Sequence, residues 1–370
     1  MTDLHPGPAT AASDAPAPEP PTQQERRSLL RRVGANPLIW PISSLLALLV
    51  INLMAHADFL SVRMVQGHLY GNVIDIARNA APVLLVALGM TLVIATRGID
   101  LSVGAIAAIA GAVACVYIVN APAESSVATA VQAGFLAMAI CIGLGLWNGF
   151  LVSVLGIQPI IATLVLMTAG RGIAMLVTSA QITTIHNSNF EFISDGFVFT
   201  LPFAILLALG LWALTGILAR RTALGLLIEA VGINPEASRL AGVRARTIIW
   251  TVYVFSALCA GLAGLMIAAN TAAADANSSG LWIELDAILA VVIGGTSLAG
   301  GRFSLTGTMI GALFIQTLKT TINSIGISSD YNYLFKAIVV IAVCLVQSPK
   351  ARARLVGWVG LSRKPQAVAA

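Results

Sequence analysis

The chain has 370 residues, 58% of them hydrophobic and only 10% charged, with a mean hydropathy of +0.89; a soluble domain is about 45–50% apolar and about 25% charged. That balance excludes an ordinary water-soluble globular protein. The net charge of +5 does not indicate a nucleic-acid partner either, because Lys and Arg sit at the ends of apolar segments with no aromatic-basic stripe between them. About 20 apolar residues cross a hydrocarbon core of about 30 Å, and runs of that length recur almost to the C-terminus. The sequence therefore predicts an all-α, polytopic transmembrane helical bundle whose first partner is the lipid bilayer.

Residues 1–35 hold Ala15-Pro16-Ala17-Pro18-Glu19-Pro20-Pro21 and few apolar side chains, a composition that cannot bury enough surface to offset ordering entropy. They are expected to form a disordered cytoplasmic tail. Arg26, Arg27, Arg31 and Arg32 end it, directly before the apolar run from Leu38 to Met54. Ala55-His56-Ala57 mimics a signal-peptidase site, but the run exceeds the length of a signal core and lies behind a long leader, so it is read as a span.

Spans are predicted near 38–55, 73–96, 101–119, 128–155, 160–178, 200–219, 247–270, 285–300, 303–325 and 333–349, about ten in all. With the first arginines inside, that count returns the tail 350–370, with Lys350, Arg352, Arg354, Arg363 and Lys364, to the cytoplasm. It also places the segment 220–246 inside, with five arginines against Glu229 and Glu236. The opposite loops carry Glu124, Glu191, Asp195, Asp275 and Glu284 and no Lys or Arg. The stretch 285–300 is short and ends in Gly294-Gly295-Thr296-Ser297 and Gly300-Gly301, so a broken or re-entrant segment is expected there, which is tolerated only where protein or water satisfies the freed backbone. Small residues at helical spacing, Gly104, Ala108 and Ala112, Gly145 and Gly149, Gly307 and Gly311, predict close helix packing.

Charges inside or beside the spans are the candidate functional groups. Arg97 and Asp100 flank Gly98-Ile99 between two long apolar segments; they make either a self-neutralised turn or a hydrophilic gate at a helix break. Asp75 and Arg78 repeat that spacing and suggest a pair. Arg171 has no acidic neighbour and would reach Asp100 or the hydroxyl of a bound ligand, while Lys319 and Lys336 near span ends are expected to snorkel. Asn234 suits an N-cap, Pro235 the first helical position and Gly242 a stop, so a short helix is predicted over 235–241. Such a helix is either a docking element for a cytoplasmic partner or a surface-lying amphipathic segment.

His5, His56, His68 and His186 lack metal-ligand spacing, and Cys115, Cys141, Cys259 and Cys344 lie singly in apolar stretches. No G-x-x-x-x-G-K-[ST] occurs, so nucleotide binding through a P-loop is not expected of this chain, and no nucleophile constellation indicates an enzyme.

Four motifs in order carry a resemblance: Gly98-Ile99-Asp100-Leu101-Ser102-Val103-Gly104, Arg171-Gly172, Ala230-Val231-Gly232-Ile233-Asn234 with Ala237 and Gly242, and Gly294-Gly295-Thr296-Ser297-Leu298-Ala299-Gly300-Gly301. Over roughly 38–349 the chain resembles the permease family of bacterial ABC importers for ribose, galactose and related monosaccharides. The stretch Ala274 to Ala290 looks most like the galactofuranose-type permeases. Leu226 and Ser238 depart from the family pattern, where Arg and Ala are common.

The resemblance implies a permease domain over 36–349 in the bacterial inner membrane, with 220–246 as a cytoplasmic coupling loop. It implies a second permease chain, identical or paralogous, a separate ATP-binding cassette ATPase that uses ATP and Mg, and a periplasmic sugar-binding protein, with no cofactor bound by this chain. Asp100, Ser102, Arg171, Asp275, Asn277, Glu284 and Asp286 are then expected along the translocation pathway. Glu229, Gly232, Asn234, Arg239 and Gly242 are expected at the ATPase contact. A secondary transporter coupling sugar to ions through Asp100 or Asp286, and a membrane scaffold without transport, are the alternatives.

Overall fold

The computed structural model describes residues 38–55, 58–326 and 331–347; the tails predicted at 1–35 and 350–370 lie outside the described residues. α1 (Ile39–Ala55) leads through the hairpin β1 (Arg63–Val65) and β2 (His68–Tyr70) to α2 (Asn72–Ala95), α3 (Val103–Val119), α4 (Val127–Ser153) and α5 (Pro159–Val177). Next come β3 (Thr183–Thr184), α6 (Ser188–Asp195), β4 (Phe197–Val198), β5 (Leu201–Pro202), α7 (Phe203–Arg221), α8 (Ala223–Ile233) and α9 (Pro235–Leu240). α10 (Ala245–Thr271), β6 (Ala273–Ala274), α11 (Ile283–Ile293), α12 (Leu305–Ser324) and α13 (Asn332–Gln347) complete the described chain. The strands form three two-stranded pairs, β1 with β2, β4 with β5, and β3 with the distant β6.

Among the described residues α2, α4, α5, α7 and α10 are long and apolar enough to cross a membrane. Two of them are interior: the apolar windows of α2 and α10 are 78% and 72% buried, against 28% for α4, α5 and α7. The outer helices expose Phe135, Leu176 and Ile217, a surface that suits lipid rather than water. α10 packs on α2, α3 and α4, and α12 packs on α2, α11 and α1. Asn52 of α1 is buried and donates to Thr321 of α12 at 2.7 Å, so the first helix is fastened by a polar clasp that lipid could not replace.

Small residues set the spacing, as their periodicity predicts. A Cβ on Gly264 of α10 would lie 2.1 Å from the Ala107 carbonyl oxygen of α3, and one on Gly311 of α12 would lie 2.0 Å from that of Ala290 in α11. Gly145 faces Ala257 and Gly307 faces Gly294 in the same way.

Two expectations need revision. The helix expected over 285–300 is α11 alone and ends at Ile293, because Gly295, Gly300 and Gly301 take φ of +88°, +83° and +92°, values outside any right-handed helix. The loop 220–246 also holds more structure than its predicted short helix: Thr222 accepts from the Leu224 amide at 3.2 Å and starts α8 ahead of α9.

Replacing Gly264 with Val should lower the thermal midpoint of the detergent-purified protein, the overpacking costing about 1–3 kcal/mol. Gly210→Ala, where a Cβ meets nothing within 4 Å, should leave the midpoint in place; equal effects of the two would contradict backbone contact at Gly264.

Candidate functional site

At one end of the bundle, the end bearing the three strand pairs and α6, a polar cavity of about 670 Å³ opens between α2, α10, α11 and α12. Its wall includes Arg78, Asn79, Asn270, Ser278, Asp286, Gln316, Lys319, Thr320 and Asn323, over a floor of Pro82, Val83, Met266 and Ile283. The size lies within the usual range for small-molecule sites. Arg78 does not pair with Asp75 as its spacing suggested; it donates to Asp195 of α6 at 3.2 Å. Lys336 does not snorkel: it donates to Asp286 at 2.6 Å, with the two side chains 15% and 19% exposed, and so ties α13 to α11 at the cavity wall.

Of the seven residues expected along a pathway, Asp286 is the one that lines this cavity. Asp275 lies just beyond, in a turn where the Ser278 hydroxyl at 2.7 Å and the Asn277 amide at 2.9 Å donate to its carboxylate. Those bonds, the Ser278 hydroxyl foremost, hold its acidity above that of an ordinary aspartate, with its pKa lowered. Asn277 is exposed beside it. Arg171 reaches neither Asp100 nor the cavity; its guanidinium donates to the carbonyls of Ala276 at 3.1 Å and Ser279 at 2.6 Å. It thereby fixes the loop that delivers α11. Glu284 is 2% exposed and points at Gly104 of α3, where only the absence of a Cβ leaves room for its Oε2.

Asp100 sits at the opposite end, in the break between α2 and α3, and is 1% exposed. Its carboxylate accepts from the Ser102 amide at 3.1 Å, the Ser102 hydroxyl at 2.6 Å and the Ser256 hydroxyl of α10 at 2.9 Å. Asn148 of α4 donates to the Ser102 hydroxyl at 2.8 Å. One carboxylate thus joins the helix break to α4 and α10 without a cation. The sequence-local pairing of Arg97 with Asp100 is absent: Arg97 has φ of +65° and donates instead to the Ile233 carbonyl at the end of α8.

That contact belongs to a tight junction. The Gly301 amide donates to the Ala95 carbonyl at 2.9 Å, and a Cβ on Gly232 would lie 1.8 Å from the same oxygen. Next to it α9 forms as its residues predict: the Asn234 side chain accepts from the amides of Glu236 at 3.1 Å and Ala237 at 3.0 Å. Gly242 closes it at φ +85°. Arg239 pairs within the helix to Glu236 at 2.6 Å, Glu229 pairs to Arg220 at 3.3 Å, and the unusual Ser238 donates to the Asn234 carbonyl at 2.9 Å. Leu226, the other departure, is 71% exposed.

Sequence reasoning missed Asn79, Asn270 and Gln316. The available signal was an amide within an apolar run, clearest in Leu313-Phe314-Ile315-Gln316-Thr317-Leu318.

Apolar helices long enough to cross a membrane, packed around a polar cavity, are the architecture of an integral membrane protein. The chain belongs to the family described as branched-chain amino acid transport system / permease component, whose model matches residues 72–344. It is 48% identical over 318 residues to the galactofuranose transporter permease protein YtfT of Escherichia coli strain K12, covering 84% of this chain and 91% of that protein. It is 39% identical over 332 residues to the fructose import permease protein FruF of Bifidobacterium longum strain NCC 2705, covering 88% and 92%. Against the ribose import permease protein RbsC of Escherichia coli strain K12 it is 37% identical over 311 residues, covering 83% and 93%. No solved structure matches the chain.

The Asp286 and Lys336 charges should behave as a coupled pair. Lys336→Met alone is expected to destabilise the purified protein by about 3 kcal/mol, the low end for a pair that is not fully buried, and adding Asp286→Asn should recover part of the loss. Thermal midpoints of the singles and the double measure this; simple additivity would show that the two charges are independent.

Proposed function

We propose that this chain is the transmembrane permease subunit of an ATP-binding cassette importer that moves a monosaccharide, galactofuranose-like or ribose-like, from periplasm to cytoplasm. The observation that carries the reading is its match along most of its length to three sugar permeases, joined to a polar cavity of about 670 Å³ in an otherwise apolar bundle. A neutral polyol needs such a wall of hydroxyls, amides and paired charges, since hydrocarbon cannot replace its water.

In this account the chain sits in the bacterial inner membrane, crosses it about ten times and has both termini in the cytoplasm. The basic residues of 220–246 and of the C-terminal tail support that orientation. A periplasmic sugar-binding protein meets the cavity end, and a second permease chain, identical or paralogous, completes the membrane part. Energy comes from a separate ATPase, which takes up ATP and Mg, and this chain catalyses no covalent step.

The geometry supplies a route for the coupling. The ATPase engages α9 and its surroundings through Glu229, Asn234, Arg239 and Gly242, whereas Gly232, expected at that contact, is buried behind them against the Ala95 carbonyl. A displacement there moves the end of α8, which Arg97 grips through the Ile233 carbonyl, and so moves the break that holds Asp100 and Ser102. α3, α4 and α10 all meet at those two residues, so the break changes the walls of the passage. At the other end Asp275, Asn277 and Asp286 meet the sugar at the cavity and its rim, while Arg171 and Glu284 hold the intervening loop against α5 and α3.

Co-purification tests the coupling loop. Asn234→Ala removes the cap of α9, worth about 1 kcal/mol, and Arg239→Glu inverts an exposed charge; both should reduce recovery of the partner ATPase and slow ATP-dependent uptake in proteoliposomes. Undiminished recovery would contradict the docking role, and uptake driven by an ion gradient without any ATPase would contradict the importer reading itself.

A further inference from the structure

Three neutral carboxamides meet in the cavity from three helices: Asn79 from α2, Asn270 from α10 and Gln316 from α12. Their side chains form no hydrogen bond with any of the described residues. Gln316 is only 9% exposed, and as a lining residue it presents its amide to the cavity, where a guest can reach it. Two charged groups on the same wall are engaged, Arg78 with Asp195 and Asp286 with Lys336, while Lys319 adds an exposed ammonium with no ion pair among the described residues. Apart from that ammonium, the groups the cavity leaves for a guest are neutral. Each carboxamide presents two N–H donors beside an oxygen acceptor, the arrangement that meets adjacent hydroxyl groups, each of which can donate and accept.

We propose that Asn79, Asn270 and Gln316 form a hydroxyl-reading site inside the permease, which binds a neutral polyol during passage and discriminates among monosaccharides by their hydroxyl pattern. The proposal rests on the permease reading and goes beyond it: selection by the delivery protein is followed by a second selection in the membrane. The physical basis is asymmetric. A sugar with the matching hydroxyls satisfies the amides, whereas an analogue lacking one leaves a desolvated amide unpaired, and sites built to hydrogen-bond a hydroxyl reject such analogues far more strongly than apolar pockets reject a missing methylene.

The test uses the complete transporter, reconstituted with its ATPase and sugar-binding protein. ATP-driven uptake is measured at saturating substrate for D-ribose, D-fructose and D-galactose and for the monodeoxy analogues of each sugar transported. Wild type is compared with Gln316→Leu and with Asn270→Leu; the second replaces an exposed residue and keeps the test valid if the first fails to fold. The quantity read is a double ratio, variant over wild type for the parent sugar divided by the same quotient for the analogue, from which the delivery protein's preference cancels. For at least one deoxy position the parent sugar should lose about tenfold more than the analogue. A double ratio of one at every position overturns the proposal, because the amides would then shape the passage without reading the sugar. Wild-type vesicles that take up no sugar with ATP would remove the permease reading and this one together, an outcome distinct from loss of discrimination alone.

Discussion

Three segments far apart in the chain meet where there is no space for a side chain. The Ala95 carbonyl at the end of α2 accepts the Gly301 amide at 2.9 Å, while Gly232 packs its α-carbon against the same oxygen. Arg97, one residue beyond the end of that helix's cap, reaches across to the Ile233 carbonyl. Backbone touching backbone transmits displacement with little slack, because interiors packed at this density deform poorly. In the proposed importer, that junction is what carries a displacement of the peripheral loop to the helices.

Around it the bundle divides its labour by burial. α2 and α10 form the inner pair, and α4, α5 and α7 present apolar surface to lipid. Hydrocarbon gives helices no hydrophobic reason to associate, so the interior is held by close glycine contacts and by a few polar clasps. Asn52 with Thr321 and Asp100 with Ser102 and Ser256 are such clasps. The Asp100 clasp is the more consequential, since it fastens the break between α2 and α3 to α10 by hydrogen bonds to hydroxyls and one amide, with no cation in the set.

Much of the fold was legible because its determinants are local. Apolar run length located α1 to α5 within about two residues, and Asn234, Pro235 and Gly242 delimited α9 by capping chemistry alone. The exception among the long segments was α11, shortened because glycines at positive φ cannot extend a helix. Side-chain partners were much less legible. Arg78 and Arg97 each had a carboxylate three residues away, yet bond to Asp195 and to the Ile233 carbonyl, which are 117 and 136 residues distant. Lys336 looked like a surface anchor until α13 was seen to bring it to Asp286. The cavity was hidden for the same reason: Asn79, Asn270 and Gln316 share no sequence neighbourhood, and only the packing of three helices unites them.

The most direct measurement is the ratio of sugar imported to ATP hydrolysed by reconstituted transporter carrying Gly232→Ala. The added methyl would fall 1.8 Å from the Ala95 carbonyl oxygen and must push the loop away from α2. The account predicts an assembled transporter that still hydrolyses ATP while importing much less sugar per nucleotide. An unchanged ratio in the folded, assembled variant would contradict it.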